Sequence, residues 1–199
     1  MVVTSAPTPD SKLDLDRDDL WAAARGDEMA FESFVIRHEA SVYRFVQSLG
    51  SVGADADDAL QETFIHAWRA ASTYQGTGSA RAWLLSIARH VVYRAGRRHA
   101  GEPAEFDSLE SIAQRAGWGD ESEVRARADD RARVVQDALQ RLSVADREIL
   151  VLREIQELSG DDTAAALQLS LPAMKSRLHR ARLRLTSVLR ETFRNEDVA

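Results

Sequence analysis

The sequence predicts an all-α protein: two small helical domains joined by an acidic, flexible linker. Apolar residues recur every three to four positions along most of the 199 residues, and no segment alternates with period two between hairpin turns. Proline, which lacks the N–H that a helix interior needs, stands only at positions 7, 9, 103 and 172. The helical pattern lapses in AGEPAEFDSLESIAQRAGWGDESEV, where Pro103, three glycines and a surplus of acids offer no apolar face to bury.

The elements follow in chain order. Residues 1–15 are polar and proline-bearing and read as a disordered tail. Helices are expected over 16–25, 28–49, 56–71 and 80–98, within a first domain spanning 16–100. Asp27 after Gly26, Asp55 after Ala54 and Ser79 after Gly-Thr-Gly are the expected N-caps, because their short side chains can accept a bond from an orphan backbone N–H. Residues 101–129 form the linker, with room for a short helix around 108–115. Helices over 130–141, 144–156, 159–167 and 171–193 build a second domain at 130–194, and 195–199 form a tail.

Composition removes several function classes. There is no Cys, which excludes disulfides, thiolate metal sites and a Cys nucleophile. The N-terminus lacks the basic and apolar regions of a signal peptide, and no run approaches the ~18 apolar residues of a membrane span. A cytoplasmic protein without membrane insertion is expected. The five His are scattered, no nucleophile or metal-ligand spacing is present, and the loop YQGTGS lacks the Lys-Ser/Thr ending of a phosphate loop. Neither an enzyme nor a cofactor is expected. A formal charge of −6 alone would argue against nucleic acid, yet the charges are segregated. Residues 80–100 hold five Arg and no acid, and residues 171–190 hold five Arg, one Lys and no acid. A polyanion meets those local fields, not the net charge.

The second basic run, SLPAMKSRLHRARLRL, winds with Met174, Leu178, Ala181, Leu185, Val188 and Leu189 on one stripe to be buried. Before it, Ser159 can cap a short helix carrying Ala164, Ala165 and Leu167. Gln168 and Leu169 then turn the chain, and Ser170 caps the next helix with Pro172 in its first turn. A short helix, a tight turn and a helix with a basic N-terminal half describe a helix-turn-helix; a solvated Arg-rich face is the simpler alternative. In the DNA reading Lys175, Ser176, His179 and Arg180 project toward base edges, while Arg177, Arg182 and Arg184 are placed for phosphates.

In the first domain, winding 57–69 puts Leu60, Phe64, Ala67 and Trp68 on a core face, with Asp58, Gln61, Glu62 and Ile65 opposite. An apolar residue centred in an acidic patch suits a partner surface, and also fits an ordinary solvated face with one exposed hydrophobe. The helix at 80–98 sets Trp83, Leu84, Ile87 and Val91 against a stripe of Ser86, Arg89, His90, Tyr93 and Arg97. Cations around an aromatic ring suit a separated DNA strand, neutralising phosphates while a base stacks.

Taken together, DADDALQETFIHAW, the Gly-rich loop, SARAWLLSIARHVV and ELSGDDTAAALQLSLPAMKSRLHRARLRL resemble a bacterial sigma factor of the extracytoplasmic-function group, over roughly residues 16–190. The opening helix GDEMAFESFVIRHEASVYRF fits the same family. The resemblance implies that Asp58, Gln61, Glu62, Phe64 and Ile65 meet the clamp helices of the largest subunit of core RNA polymerase, and that the flap of its second-largest subunit is a further partner. It implies that the loop with Tyr74, Gln75, Gly76 and Ser79 captures a flipped base of the minus-ten promoter element. Arg89, His90, Tyr93 and Arg97 would then follow the DNA, and the helix-turn-helix would read the minus-thirty-five element. The linker would thread the polymerase near its template and transcript channels. An anti-sigma factor is an expected partner.

The chain also departs from the family pattern. Arg94 stands where an Asp is common, Gly96 weakens its helix turn, and Gly160, Thr163 and Gln168 replace the usual aromatic, Ile and Gly. The segment SLPAMKSR lacks the common Gly-Thr before the basic run. A sigma-like decoy would have no use for a basic recognition helix. An ordinary helix-turn-helix regulator would leave the acidic face and Gly-rich loop of the first domain without a role.

Overall fold

The computed structural model describes residues 9–50, 54–98 and 133–196, with no strand among them. Helix α1 (Pro9–Ala23) begins well before the expected start at 16. Gly26, at φ 94°, makes the left-handed turn that a Cβ would strain, and Asp27 then caps α2 (Glu28–Ser48) by accepting from the Ala30 N–H at 3.1 Å. Phe34, His38, Ser41, Val42 and Phe45 of α2 recur at helical spacing and are buried. α3 (Ala54–Ala70) starts one residue before Asp55, which therefore lies in the first turn instead of at the cap. A 3₁₀ turn (Ala71–Thr73) ends α3, and a loop leads to α4 (Ala80–Arg98).

Two core stripes differ from simple winding. On α3 the buried residues are Ala56, Ala59, Thr63, Phe64 and Ala67, with Leu60 and Trp68 only half-buried. Small residues let α3 approach its neighbours closely, which rotates the larger pair to the edge. On α4 the buried stripe is Leu84, Leu85, Ala88 and Val91, while Trp83 and Ile87 are half-buried.

The C-terminal half comprises α5 (residues 133–140), α6 (Val144–Leu150), a π turn (Val151–Ile155), α7 (Gly160–Ala166) and α8 (Leu171–Glu196). The linker, its possible helix at 108–115 and both terminal tails lie outside the described residues, apart from the start of α1 and the end of α8. One capping device occurs twice. Ser143 accepts from Asp146 N–H at 3.2 Å and donates to its carboxylate at 2.8 Å; Ser159 and Asp162 repeat this at 3.0 and 2.8 Å. Gln168 sits at φ 56° in the turn before α8, where its N–H donates to Ala165 O at 3.0 Å and Leu169 N–H to Ala164 O at 2.8 Å. At Gly160 an added Cβ would lie 3.4 Å from Met174 Cε and 3.5 Å from Leu171 Cδ1, ordinary van der Waals contacts where α7 meets α8. Along α8, Met174, Leu178 and Ala181 are buried, whereas Leu185, Val188 and Leu189 are half-buried.

The two halves share one apolar core. Polar groups also cross between them. Ser41 Oγ donates to Gln156 Oε1 at 2.7 Å, Gln156 Nε2 returns a bond to Ser41 O at 3.1 Å, and Arg81 donates to both side chains. Arg147 closes the C-terminal end of α5 by donating to Leu139 O, Gln140 O and Leu142 O at 2.9–3.2 Å, and reaches Ser48 O of α2 at 3.3 Å. Its burial lowers the guanidinium pKa, and the carbonyls satisfy a charge that would otherwise be costly to enclose.

Candidate functional site

Beside α3 runs an open groove of about 880 Å³, walled by Phe31, Val35, Leu60 and Trp68, with Asp57, Asp58 and Gln61 on its rim. Phe31 packs edge-on against Trp68 with ring centroids 5.0 Å apart, and against Phe64 at 6.4 Å. Ile65 stands 44% exposed, and Asp58 and Gln61 are exposed with it. Glu62 faces His66 Nε2 at 3.3 Å, a surface pair between successive helical turns. Phe64 keeps the core face that winding gives it: at 9% exposure it belongs to the core and the groove floor, its ring beside that of Phe31. Leu60 and Trp68, expected as core, are instead groove walls. The site offers an apolar seat inside an acidic rim, which suits a helix carrying both cations and apolar residues.

The loop that follows is braced from within. Tyr74, expected to face DNA, is turned inward at 7% exposure; its hydroxyl donates to Gly78 O at 2.9 Å and its ring lies 5.5 Å from Trp83. Burial, reinforced by the Asp16 charge, raises the pKa of its phenol. Tyr74 therefore ties the loop closed, because Gly78 O has come within reach of its hydroxyl. Gly76 adopts φ 72°, and a Cβ there would come within 3.1 Å of Trp21 and 3.2 Å of Arg17. Gln75 remains exposed. Ser79 is the expected cap of α4, with Oγ 3.4 Å from Ala82 N. Its own N–H donates to Asp162 Oδ1 of α7 at 3.0 Å.

On α4, Arg89 Nε donates to Glu148 Oε1 of α6 at 2.8 Å, and its guanidinium lies 4.9 Å from the Tyr93 ring centre. Glu148 is fully buried, and its other oxygen accepts from Arg177 of α8 at 3.4 Å. Burial first, then the charge and a hydrogen bond of Glu148, raise the Tyr93 phenol pKa. His90 is exposed, its Nδ1 placed to donate to Ser86 O at 2.7 Å. The Arg97 side chain lies outside the described residues.

On α8 the seven expected DNA contacts divide. Lys175, Ser176, His179 and Arg180 are exposed, and Lys175 and Arg180 form no ion pair among the described residues. The three residues expected at phosphates are engaged within the chain. Arg177 donates to Ala145 O and Glu148, Arg182 grips Glu154 at 2.6 and 3.0 Å, and Arg184 meets Asp146 at 2.6 Å. Acids on α6 and the following turn come within reach once α8 docks, an outcome that winding one helix cannot reveal.

Sequence reasoning also missed the groups that join the elements. Asp16 of α1 accepts from His38 at 2.9 Å and Arg37 at 3.0 Å; burial pushes its carboxyl pKa up, but these donors outweigh that and leave it lowered. No sequence signal marked Glu148: its burial with the rest of 146–152 shows only in the packed chain, where an enclosed acid requires cationic partners. Nothing in sequence spacing links Ser41 and Arg81 to Gln156. Among the described residues there is no cluster of three metal-ligating side chains, and no helix is long and apolar enough to cross a membrane.

Comparison with known proteins places the chain. The family model for Sigma-70 region 2 matches residues 34–102, and that for Sigma-70, region 4 matches residues 132–185. The chain is 33% identical to the RNA polymerase sigma factor NccH of Alcaligenes xylosoxydans xylosoxydans, over 85% of this chain and 92% of that one. It is 35% identical to the ECF RNA polymerase sigma factor SigC of Mycobacterium tuberculosis, over 81% and 84%. Among solved structures, CnrH in complex with the cytosolic domain of CnrY superimposes with a TM-score of 0.68 at 29% identity, covering 89% of this chain and 99% of that one.

Proposed function

The chain belongs to the sigma-70 family as an extracytoplasmic-function sigma factor, a non-enzymatic alternative sigma factor that directs promoter-specific transcription, and we propose which of its surfaces carry each part of that task. Residues 16–100 act as sigma domain 2 and residues 130–194 as sigma domain 4, with 101–129 between them as the linker. The groove on α3 takes the clamp helices of the largest polymerase subunit. Ile65 enters the partner while Asp58, Gln61 and Glu62 meet its cations, and Phe64 supports them from below.

At the promoter, Gln75 and the backbone around Gly76 and Ser79 receive a flipped base of the minus-ten element, in a loop that Tyr74 holds in shape. Arg89, His90, Tyr93 and Arg97 follow the strand. Lys175, Ser176, His179 and Arg180 read base edges of the minus-thirty-five element, and Arg177, Arg182 and Arg184 turn to phosphates after leaving their acids. The flap of the second-largest subunit binds domain 4. The chain works in the cytoplasm, where polymerase and chromosome are. CnrH was solved with the cytosolic domain of CnrY, which supports a protein partner for this chain too, and the family makes that partner an anti-sigma factor.

The observation that carries the polymerase assignment is the exposure of Ile65 beside an apolar groove with an acidic rim. Its test is retention of purified core RNA polymerase on the immobilised chain. Wild type should retain it, and the charge reversal Asp58→Arg with Glu62→Arg should lose it while remaining helical. Equal retention by both would overturn the assignment.

A further inference from the structure

Of the tryptophans among the described residues, Trp68 and Trp83 are half-buried, whereas Trp21 on α1 is 42% exposed. Leaving so large an apolar ring in water is unfavourable, and loose placement of its helix does not account for it. Leu20 and Ala23 of α1 are buried, and the buried Asp16 accepts from His38 at 2.9 Å and from Arg37 at 3.0 Å on α2. Asp19 pairs with Arg37 as well. Two acids of α1 are thereby matched by cations of α2, while Asp18, at the surface, lies 3.6 Å from Arg17 Nε.

The exposed ring stands against the loop that follows α3. Gly76 holds φ 72°, and a Cβ there would lie 3.1 Å from Trp21 Cζ2 and 3.2 Å from Arg17 Cδ, so glycine is what lets the loop come this close. The Arg17 guanidinium lies 5.2 Å from the centre of the Trp21 ring. Beside them Gln75, Thr77 and Gly78 are exposed. An open aromatic ring with a cation next to it is the composition of a single-strand site, where bases of any identity stack and the cation attracts phosphate.

We propose that Trp21 is a stacking platform for the nucleobase next to the one received by the loop, with Arg17 drawing the phosphate between the two. The inference rests on the reading of the loop as the minus-ten base site, and it adds a contact from α1, which that reading leaves unused. Trp21 does not line the groove on α3 assigned to polymerase. Stacking tolerates every base, so Trp21 contributes affinity for the opened strand while the loop supplies base choice.

The test uses holoenzyme assembled from the full chain and purified core RNA polymerase. Its probe is a promoter that the wild-type holoenzyme recovers from a randomised library, left unpaired across the downstream element. An abasic site is moved along each strand one nucleotide at a time. In the wild type two neighbouring abasic positions should each weaken binding by about tenfold. Trp21→Leu should weaken binding of the intact probe by about tenfold and make one of those positions silent, since ring and base no longer meet. Trp21→Phe should keep both effects. Trp21→Met takes the place of Trp21→Leu if that variant is not fully helical. An apolar side chain fills the space beside Gly76 with or without a ring, so equal behaviour of the Leu and Phe variants would overturn the platform in favour of loop packing. Lost retention of core polymerase by a helical Trp21→Leu would overturn it in favour of a protein contact. A single sensitive position that Trp21→Leu leaves unchanged would overturn the platform while the loop reading stands. No sensitive position in the wild type would overturn the loop reading and the platform together.

Discussion

On α3 Asp58, Gln61 and Ile65, assigned to polymerase, stand open, with Ile65 44% exposed above a groove, whereas on α4 Arg89 is clasped by a buried acid of the other half. The helices are neighbours in one bundle, and each carries a distinctive polar stripe. They differ in what the rest of the chain places over them. A helix's own pattern tells which face a residue occupies, and only the packed molecule tells whether that face is covered. α8 shows both conditions along its length: Lys175 and Arg180 are exposed near its start, and Arg182 and Arg184 are paired further along.

The largest effect expected on this contrast comes from Trp68→Ala. It removes a groove wall that also packs on Phe31, and should cost about 2–3 kcal/mol of stability, somewhat less than truncating a fully buried aromatic. Polymerase affinity should fall with it. Chemical denaturation and polymerase binding on one sample check both, and loss of binding without loss of stability would make Trp68 a pure contact residue.

Ile65→Asp sharpens the open side. It buries nothing in the free chain that it cannot leave in water, so helicity and stability should hold while polymerase binding weakens by about 2 kcal/mol, the scale of an interface hot spot. Titration of core polymerase against the labelled variant measures this. A stability loss larger than the binding loss would mean that Ile65 belongs to the core.

Arg180→Ala and Arg184→Ala separate reading from anchoring on α8. The exposed Arg180 should lose about 1–2 kcal/mol at the preferred upstream element and relax base choice there. Arg184 must first leave Asp146, so its loss should weaken all sequences alike and by less, lowering the salt dependence by about one unit. A promoter-library assay at two salt concentrations distinguishes them, and interchanged outcomes would reverse the orientation of α8 in the groove.

The smallest effect lies in the turn. Gln168 holds φ 56° at a cost of about 1 kcal/mol for a residue with a Cβ, so Gln168→Gly should raise stability by roughly that amount, less the greater entropy glycine gives the unfolded chain. Thermal unfolding checks the sign. A marked loss would show that the Gln168 side chain contributes more than its backbone strain costs.

Much of the helical plan was legible before folding. Ser159 and Asp27 cap the helices that their positions announce, and Met174, Leu178 and Ala181 fall on the buried stripe that periodicity predicts. Local rules suffice where a residue's environment is built by its own helix. They failed at Tyr74, whose hydroxyl finds Gly78 O only after two left-handed glycines bend the loop, and at Leu60 and Trp68, displaced to the groove by close packing of alanines. They were silent on Glu148, whose partners come from two other helices, Arg89 being 59 positions away and Arg177 being 29.

The most direct test of the account is transcription by purified core RNA polymerase on a library of randomised promoters, with wild-type chain and with Ile65→Asp. Wild type should start transcripts from a subset of templates that share one upstream and one downstream element, and folded Ile65→Asp should yield almost none. Transcripts from the variant at wild-type yield and on the same templates would contradict the claim that the open face of α3 brings this chain to polymerase.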